Sequence, residues 1–494
     1  MSPVTRPKTN GSQLSKLATL VSRSCKGEAE VFGITHDSRC VKSGDLYVAL
    51  LGANVHGIEF IDQAIANGAV AVATDSHGAE IASQKNVPVI ELLDARKEMA
   101  KLASEIYGNP ESKLTITGVT GTNGKTTTTH ILRSMFLDAG KHVGVIGTLG
   151  TYLDEEHLPG ARTTPESTDL YATLALMVER GITHVFMEVS SHALVLQRVE
   201  GIKFDVAIFT NLTQDHLDFH GTMENYFAAK ALLFTPEYSK QAIICTDDSW
   251  GAKLSNQVSI PVTTIGSNGI WKTSKATSSS SGITSQQVSI PNNESIAVEV
   301  NMLGAFNATN ATCALAASQL LGLSLTSALK SLKEVRPIPG RLEQVKILSP
   351  GTAIVDYAHT PDAVATVLSV IKDANPNKII TVIGCGGDRD STKRPLMGKV
   401  AAQLSDIVIV TDDNPRSEDP KVIRKSICDG AKEGPAQVFE VADRREAISK
   451  ALILALPGDV VAVLGKGHES GQEIKGEIFS FDDRIVVRQE SENV

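Results

Sequence analysis

Cysteine is scarce in this sequence, and no two cysteines are spaced as a pair. The six residues, Cys25, Cys40, Cys245, Cys313, Cys385 and Cys428, are scattered through 494 positions with no CxxC. That pattern excludes a disulfide scaffold and a zinc framework, and it leaves the reduced thiols of a cytoplasmic protein. No run of about 20 apolar residues occurs, so no membrane insertion is expected. The first residues, MSPVTRPKTNGSQ, are polar and lack an apolar h-region, so no secretory signal is expected either. Positive charge is also in short supply: 47 Lys and Arg face 56 Asp and Glu, a formal net charge of −9. This balance argues against a nucleic acid or an acidic membrane surface as partner. There is no internal repeat. Nothing in the sequence demands an oligomer, and a monomer is expected. What remains is an ordinary soluble composition, 42% hydrophobic and 21% charged. The length corresponds to about three domains.

The most informative stretch is GVTGTNGKTTTTHIL, Gly118 to Leu132. Before it, LTITGV (Leu114–Val119) is apolar and β-branched, which predicts a buried parallel strand. After it, Ile131, Leu132, Met135 and Ala139 fall at helical spacing. Between the two lie Gly121, Thr122, Asn123, Gly124, Lys125, Thr126 and Thr127. A strand, a glycine-rich turn and a helix N-terminus form a phosphate cradle, because backbone N–H groups and the helix dipole converge on the anion. In such a cradle Lys125 reaches the β- and γ-phosphates and the Thr126 hydroxyl ligates Mg²⁺. ATP and Mg²⁺ are therefore expected. The common pattern wants a glycine where this chain has Val119, so GTNGKT is a variant loop.

Around this stretch the chain divides into three units. Residues 1–112 read as a small α/β layer: GDLYVALLG is a strand, DQAIANGAVAVATD a helix and then a strand, and VPVIEL a strand. Asp94 caps a helix running to Tyr107. Polar clusters THDSR (Thr35–Arg39) and GANVHG (Gly52–Gly57) sit at its loops, as turn chemistry or as part of a site. Residues 113–336 carry the phosphate loop on a parallel sheet. HVGVIG closes a βαβ unit, and HVFMEVSSHAL is a buried strand ending at Glu188, either a Mg²⁺ ligand or half of a buried ion pair. FDVAIF leads into Asn211, Asp215, His216, Asp218 and His220, a metal or phosphate site unless these are solvated loop charges. Lys230 falls on a helix, where alone it would be a surface lysine. Ser267–Gln287 is Ser/Thr-rich and reads as short strands and an exposed loop. Asn307 and Asn310 are helix-entry caps or ligand contacts. Residues 337–494 alternate strand and helix, which predicts a doubly wound, Rossmann-like sheet. Its polar turns DYAHTPD, GCGGDRDSTKRP, DDNPRSEDP and GKGHES all fall at carboxyl ends of strands, where ligands bind.

Taken together, these motifs resemble the Mur ligases, the ATP-dependent amino-acid ligases of peptidoglycan synthesis. GTNGKT, MEVSSHAL, TNLTQDHLDFHG, LGAFN, GRLE and DYAHTPD are similar to that family's motifs and occur in its order. GCGGDRDSTKRPLMG, DNPR and GKGHE resemble the branch that adds the third residue of the stem peptide. The resemblance runs from about residue 33 to about residue 484. It implies an α/β chain of three domains: a UDP-binding domain, a central ATPase domain and an amino-acid-binding domain. The small-molecule partners it implies are ATP, UDP-N-acetylmuramoyl-L-alanyl-D-glutamate and a diamino acid.

The resemblance also implies roles for residues. Ser38, Asn54, His56 and Gly57 lie near UDP, and Thr163, Thr164, Ser190, Gln197 and Arg198 match positions that hold the muramoyl dipeptide. Glu188 and His216 match Mg²⁺ ligands beside Thr126. Lys230 matches a lysine that CO₂ converts to a carbamate (N6-carboxylysine). Asn307 and Arg341 match contacts to the adenine nucleotide, and Asp356 and His359 a nucleotide-side motif. Lys125, Lys230 and His359 are the catalytic candidates, with His359 a candidate base. Arg389, Asp413, Asn414, Pro415, Arg416, Gly465 and Glu469 would form the diamino-acid pocket. Relatives with DNPR take meso-2,6-diaminopimelate, and the chemistry agrees, since the arginine fork binds that molecule's distal carboxylate bidentately. Glu469 would meet the distal ammonium group. On this reading lysine leaves Arg416 without its anion, a penalty of roughly 2–5 kcal/mol, enough for discrimination on the order of a hundredfold. The alternatives are the same reaction with L-lysine, a folylpolyglutamate- or cyanophycin-type ligase, and a non-catalytic nucleotide-binding regulator.

Overall fold

The computed structural model describes residues 6–493 apart from 53, 161, 279–282, 292–293 and 349. Three mostly parallel sheets with flanking helices follow one another along the chain. The first has five strands in the spatial order Cys25–Lys26, Val89–Glu91, Ala69–Thr74, Asp45–Ala49, Gly33–Thr35. Asp94 accepts the Lys97 N–H at 3.2 Å and starts the helix Ala95–Ile106, as a short acidic cap should.

The central sheet is parallel through its middle. Val143–Gly147, His184–Glu188, Thr115–Thr120, Val206–Phe209, Ala242–Cys245 and Val262–Gly266 lie side by side in that order. The βαβ unit read from the sequence closes across an intervening strand: His184–Glu188 pairs with both Thr115–Thr120 and Val143–Gly147. That insertion sets Glu188 level with Val119, immediately beside the phosphate loop. Antiparallel strands extend both edges. Within the Ser-rich segment Trp271–Thr273, Thr277–Ser278 and Thr284–Ser289 are short strands, and 279–282 lie outside the described residues.

The third sheet orders Thr352–Asp356, Val460–Leu464, Ile379–Ile383, Ile407–Val410 and Gln437–Glu440 in parallel, with Glu343–Val345 antiparallel at one edge. The last of these strands in sequence inserts between the first and second. The insertion brings the turns after Asp356, Ile383, Val410 and Leu464 to one edge, as expected for a doubly wound sheet.

The two joints between sheets differ in kind. The first is apolar: one buried cluster runs without a break from Leu14 through Met99, Leu102 and Ile106 to Leu170, Leu174 and Phe204. The second is smaller, with Leu303 and Phe306 of the central unit packing against the core of the third sheet. Val335 and Ile338 belong to the central core, and Leu342 to the core of the third sheet. Between them Gly340 sits at φ +64°, where a Cβ would come within 2.3 Å of the His468 backbone nitrogen. Only glycine passes there.

The third unit also buries a complete ion pair. Arg444 donates to Asp483 through Nε at 2.8 Å and Nη2 at 2.7 Å, and both side chains are fully buried. Nη2 also donates to the Leu464 carbonyl at 3.0 Å, so the pair braces the end of the central strand. Asp483→Ala leaves that guanidinium buried without its anion. It is expected to destabilise the fold by about 3–5 kcal/mol, whereas replacing both residues with leucine restores most of the loss. Urea unfolding of both variants reads the difference, and a single variant that unfolds with the parent would contradict it.

Candidate active site

The phosphate loop leaves the strand Thr115–Thr120 and enters the helix Lys125–Asp138. Gly124 has φ +88°, and a Cβ there would lie 2.5 Å from Asn310 Oδ1; on Gly121 it would lie 1.9 Å from Thr210 Oγ1. Two close approaches thus require the two glycines, while Val119 stays buried in the sheet. The neighbouring strand end fixes the loop: Thr122 N–H donates to Asn211 O at 3.0 Å and Asn123 N–H to Asn211 Oδ1 at 2.9 Å. Lys125 Nζ donates to the carbonyls of Gly121 at 2.8 Å and Thr122 at 2.9 Å. Lys230 is no surface lysine. It is buried, lies over the Tyr226 ring, and donates to the same Gly121 carbonyl at 2.9 Å. Burial, and the ammonium of Lys125 beside it, hold Lys230 well below the ordinary lysine range; burial lowers Lys125 as well.

Glu188 is fully buried and accepts only neutral donors: Thr126 Oγ1 at 3.0 Å, Thr148 N–H at 2.8 Å and Thr148 Oγ1 at 3.0 Å. No ion pair reaches it among the described residues. A buried carboxylate beside a threonine hydroxyl fits a hard cation with oxygen ligands. Among the described residues no group of three or more His, Cys, Asp or Glu could hold a metal by itself. The fit is therefore to Mg²⁺, which keeps waters and phosphate oxygens as its other ligands. His216, at φ +55°, sits 3.4 Å from Asp215 and packs edge-on against His192. Burial pushes it down to about 3, which leaves a neutral imidazole able to donate its lone pair.

The third unit closes the other wall of this cleft. Arg341 Nη2 donates to Thr126 Oγ1 at 3.2 Å and stacks over Tyr357. Asp356 turns inward and accepts two backbone N–H groups, from Leu342 and Ala358, both at 2.7 Å. His359 Nδ1 lies 2.8 Å from the Tyr357 carbonyl. A carbonyl only accepts, so Nδ1 carries the proton and Nε2 is the basic nitrogen. Burial, then the charge of Lys393, lowers this ring. Asn307 binds the Leu303 carbonyl at 2.7 Å and lines the same cleft. The volume enclosed is about 520 Å³.

A second cleft, about 1040 Å³, opens between the first and central sheets and is lined by Ser38, Gly57 and Arg198 among others. Three residues expected near it are directed elsewhere. His56 Nδ1 accepts the Ile58 N–H at 3.0 Å and its Nε2 meets Asp75 at 3.0 Å, so it serves as a helix-entry cap. Gln197 takes φ +54° and donates to Asp94 at 3.3 Å. Asn54 is exposed and does not line the cleft, and residue 53 of the same loop lies outside the described residues. Thr163 and Ser190 line the first cleft instead, while the Thr164 hydroxyl is used within the fold, donating to the Glu188 carbonyl at 2.8 Å. The clefts adjoin: Gly147 lines one and Thr148 the other.

The sequence reading missed Glu166. Arg96, Arg162 and Arg198 converge on it at 3.1, 2.7 and 2.8 Å. Burial alone would raise this carboxyl, but Arg198, His36, Arg96 and Arg162 overcome it and hold it below the usual range. Only Arg162, four residues before Glu166, is a local partner; Arg96 and Arg198 come from separate segments, so no local pattern disclosed the cluster.

The turns of the third sheet hold the remaining expected residues. Gly465 stands at φ +114°, and a Cβ there would meet Asp413 Oδ2 at 2.6 Å. Asn414 donates to Glu469 at 2.8 Å. Lys466, unremarked in the sequence, is fully buried and donates to Asn414 and Glu469, both at 3.0 Å. Glu469 thus already meets a cation. The Pro415 carbonyl packs against Gly387, and Arg389 is exposed. The expectation that Arg416 would stand without an anion when lysine binds needs correction. Its Nε donates to Glu473 Oε2 at 3.1 Å and its Nη1 to the Gly387 carbonyl at 2.7 Å. None of Arg389, Asp413, Asn414, Arg416, Gly465 and Glu469 lines either cleft.

Comparison with known proteins agrees with this geometry. Three family models match in chain order: Mur ligase family, catalytic domain, at residues 30–107; Mur ligase middle domain at 119–318; and Mur ligase, glutamate ligase domain, at 340–467. The chain is 45% identical over 472 residues to a UDP-N-acetylmuramoyl-L-alanyl-D-glutamate–2,6-diaminopimelate ligase of Streptomyces avermitilis, covering 94% of this chain and 92% of the relative. It is 42% identical over 490 residues to the Geobacillus thermodenitrificans protein of the same name, covering 96% and 98%. A solved structure of a ligase of that name superposes with a TM-score of 0.66 at 32% identity, over 94% of this chain and 95% of that one. A folylpolyglutamate synthase of Mycobacterium tuberculosis shares the fold at a TM-score of 0.62, with 18% identity over 74% of this chain and 91% of its own. With all three domain models in order and relatives matched almost end to end, the chain belongs to the Mur ligase family.

Proposed function

We propose that this chain is an ATP-dependent, ADP-forming ligase of cytoplasmic peptidoglycan precursor synthesis. It joins meso-2,6-diaminopimelate to UDP-N-acetylmuramoyl-L-alanyl-D-glutamate. The observation that carries the reading is the name shared by relatives 40–45% identical over 94% or more of the chain. The likeness to a folylpolyglutamate synthase rests on fold alone.

The residues supply a mechanism. The D-glutamate side-chain carboxylate attacks the γ-phosphate of ATP, ADP leaves, and an acyl phosphate forms. Lys125 holds its ammonium at the loop mouth for the phosphates, and Gly121 to Thr127 present their backbone to them. Thr126, Glu188 and His216 would hold Mg²⁺, which when bound neutralises charge on the transferring group. The amine of the diamino acid then attacks the acyl carbon and phosphate leaves. His359, with Nε2 as its free base, would take the amine proton. Ser38, Gly57, Thr163, Ser190 and Arg198 would hold the UDP-muramoyl dipeptide along the two adjoining clefts. Asn307 and Arg341 would hold the nucleotide, and the loops bearing Asp413–Arg416, Gly465 and Glu469 the diamino acid.

Lys230 is proposed to carry a carbamate. The neutral amine is the form that adds CO₂: its lone pair bonds to carbon, one proton leaves, and a cation becomes an anion. Burial and Lys125 favour that neutral form. The nucleotide cleft is walled by the phosphate loop on one side and by Arg341, Asp356 and His359 of the third unit on the other, which supports closure of the third unit during turnover.

ADP release from ATP, Mg²⁺ and the UDP-dipeptide is expected to be much faster with meso-diaminopimelate than with L-lysine. Turnover with lysine instead would keep the ligase and discard the pocket assignment. Enzyme freed of CO₂ is expected to lose most activity and regain it with bicarbonate, and Lys230→Ala is expected to stay inactive in both conditions. Bicarbonate-independent activity would remove the carbamate. Small-angle scattering with nucleotide and the UDP-dipeptide is expected to show a smaller radius of gyration, and an unchanged profile would count against closure.

A further inference from the structure

Arg416 is held in an arrangement that its sequence motif does not disclose. Its backbone has φ +51°, a left-handed conformation uncommon outside glycine. The hairpin Gly471–Ile474 and Glu477–Ser480 fixes it there. Arg416 N–H donates to the Glu473 carbonyl at 3.1 Å, and Lys475 N–H donates to the Arg416 carbonyl at 2.8 Å. Gln472 Nε2 donates to the Asp413 carbonyl at 2.6 Å, and Glu473 N–H to Asn414 Oδ1 at 3.0 Å. The DNPR loop lies along the hairpin as a further strand would. The Glu473 carboxylate is therefore delivered to the guanidinium by the backbone, not by a chance meeting of two surface side chains.

The guanidinium has an edge and an end. Glu473 takes Nε on the edge, and the Gly387 carbonyl takes Nη1. Nη2 makes no hydrogen bond among the described residues. An arriving carboxylate binds bidentately only by using Nη2 together with Nη1 or Nε. In either mode it enters the field of a carboxylate already present. The Arg416 and Glu473 side chains are 24% and 40% exposed, so their pair is weak enough to be displaced or shared.

We propose that Glu473 is a built-in competitor for the distal carboxylate of the amino-acid substrate, and that it limits how sharply Arg416 separates a diamino dicarboxylic acid from lysine. The proposal rests on the ligase reading above. With lysine bound, Arg416 keeps Glu473 and no guanidinium is left bare. Selectivity through Arg416 then equals only the advantage of the substrate's carboxylate over the internal one. Neutralising Glu473 removes that floor.

The test is kcat/KM for meso-diaminopimelate and L-lysine, measured separately on the parent enzyme and on Glu473→Gln. Glu477→Gln on the same hairpin controls for charge alone. Glu473→Gln is expected to lower the KM for meso-diaminopimelate about threefold to fivefold, on the scale of an exposed ion pair. The kcat and the KM for ATP stay the same, and lysine gains nothing, so the ratio of the two amino acids widens. Glu477→Gln moves neither. A higher KM for diaminopimelate would overturn the proposal, because Glu473 would then be orienting the fork. Equal changes for both amino acids, or none, would overturn it too. A parent enzyme inactive with both amino acids would instead remove the ligase reading, and the proposal with it.

Discussion

Two lysine side chains share one carbonyl oxygen, and the nucleotide site is built around that constraint. Lys125 and Lys230 both donate to Gly121 O. A single peptide dipole does not balance two cations, and a protein interior tolerates unpaired charge only at high cost, so the buried Lys230 is pushed toward its neutral amine beside Lys125. One strand away lies the converse, Glu188, a fully buried carboxylate held by two threonines. The sheet keeps the two signs apart because His184–Glu188 is wedged between its neighbours at a fixed register. A polyanion with a divalent cation is the natural complement of Lys125 and Glu188, the anion meeting the ammonium and the cation the carboxylate.

The unequal joints give the three units different freedom. An apolar cluster continuous from Leu14 to Leu254 makes the first two sheets a single mechanical body, so the large cleft between them keeps its shape. The third sheet is tied to this body through Gly340, the hydrogen bond from Arg341 to Thr126, and the packing of Leu303 and Phe306 against its core. Its own interior is stiff, braced by Arg444 and Asp483 beneath the strand that leads to Gly465. The seam between the two bodies thus runs through the nucleotide cleft, with the phosphate loop on one side and Arg341, Asp356 and His359 on the other.

Much of this was legible in the sequence because the chemistry is written locally. The phosphate loop, the strands that feed it and the polar turns of the third sheet are contiguous stretches, so pattern and motif found them together. What escaped was assembled from distant segments or decided by a neighbour's hydrogen bond. Glu166 gathers arginines from both sides of a domain boundary. His56 looked like a ligand and proved to be a cap, because Asp75 and the Ile58 N–H occupy its two nitrogens. Lys230 looked exposed by its sequence alone, and the fold buries it. Glu473 lies just beyond a recognisable motif, and only the hairpin register brings it back to Arg416.

The meeting of the two clefts at Gly147 and Thr148 has a kinetic meaning. A long ligand seated by its far end in the larger cleft is tethered there, and its reactive end then searches only the small volume around Glu188. The encounter of acid and phosphate becomes intramolecular, with an effective concentration that free solution does not reach. Anchoring energy collected some distance from the chemistry is in this way converted into speed at the bond that forms. A shortened ligand that fits the smaller cleft perfectly well would forfeit turnover as well as affinity.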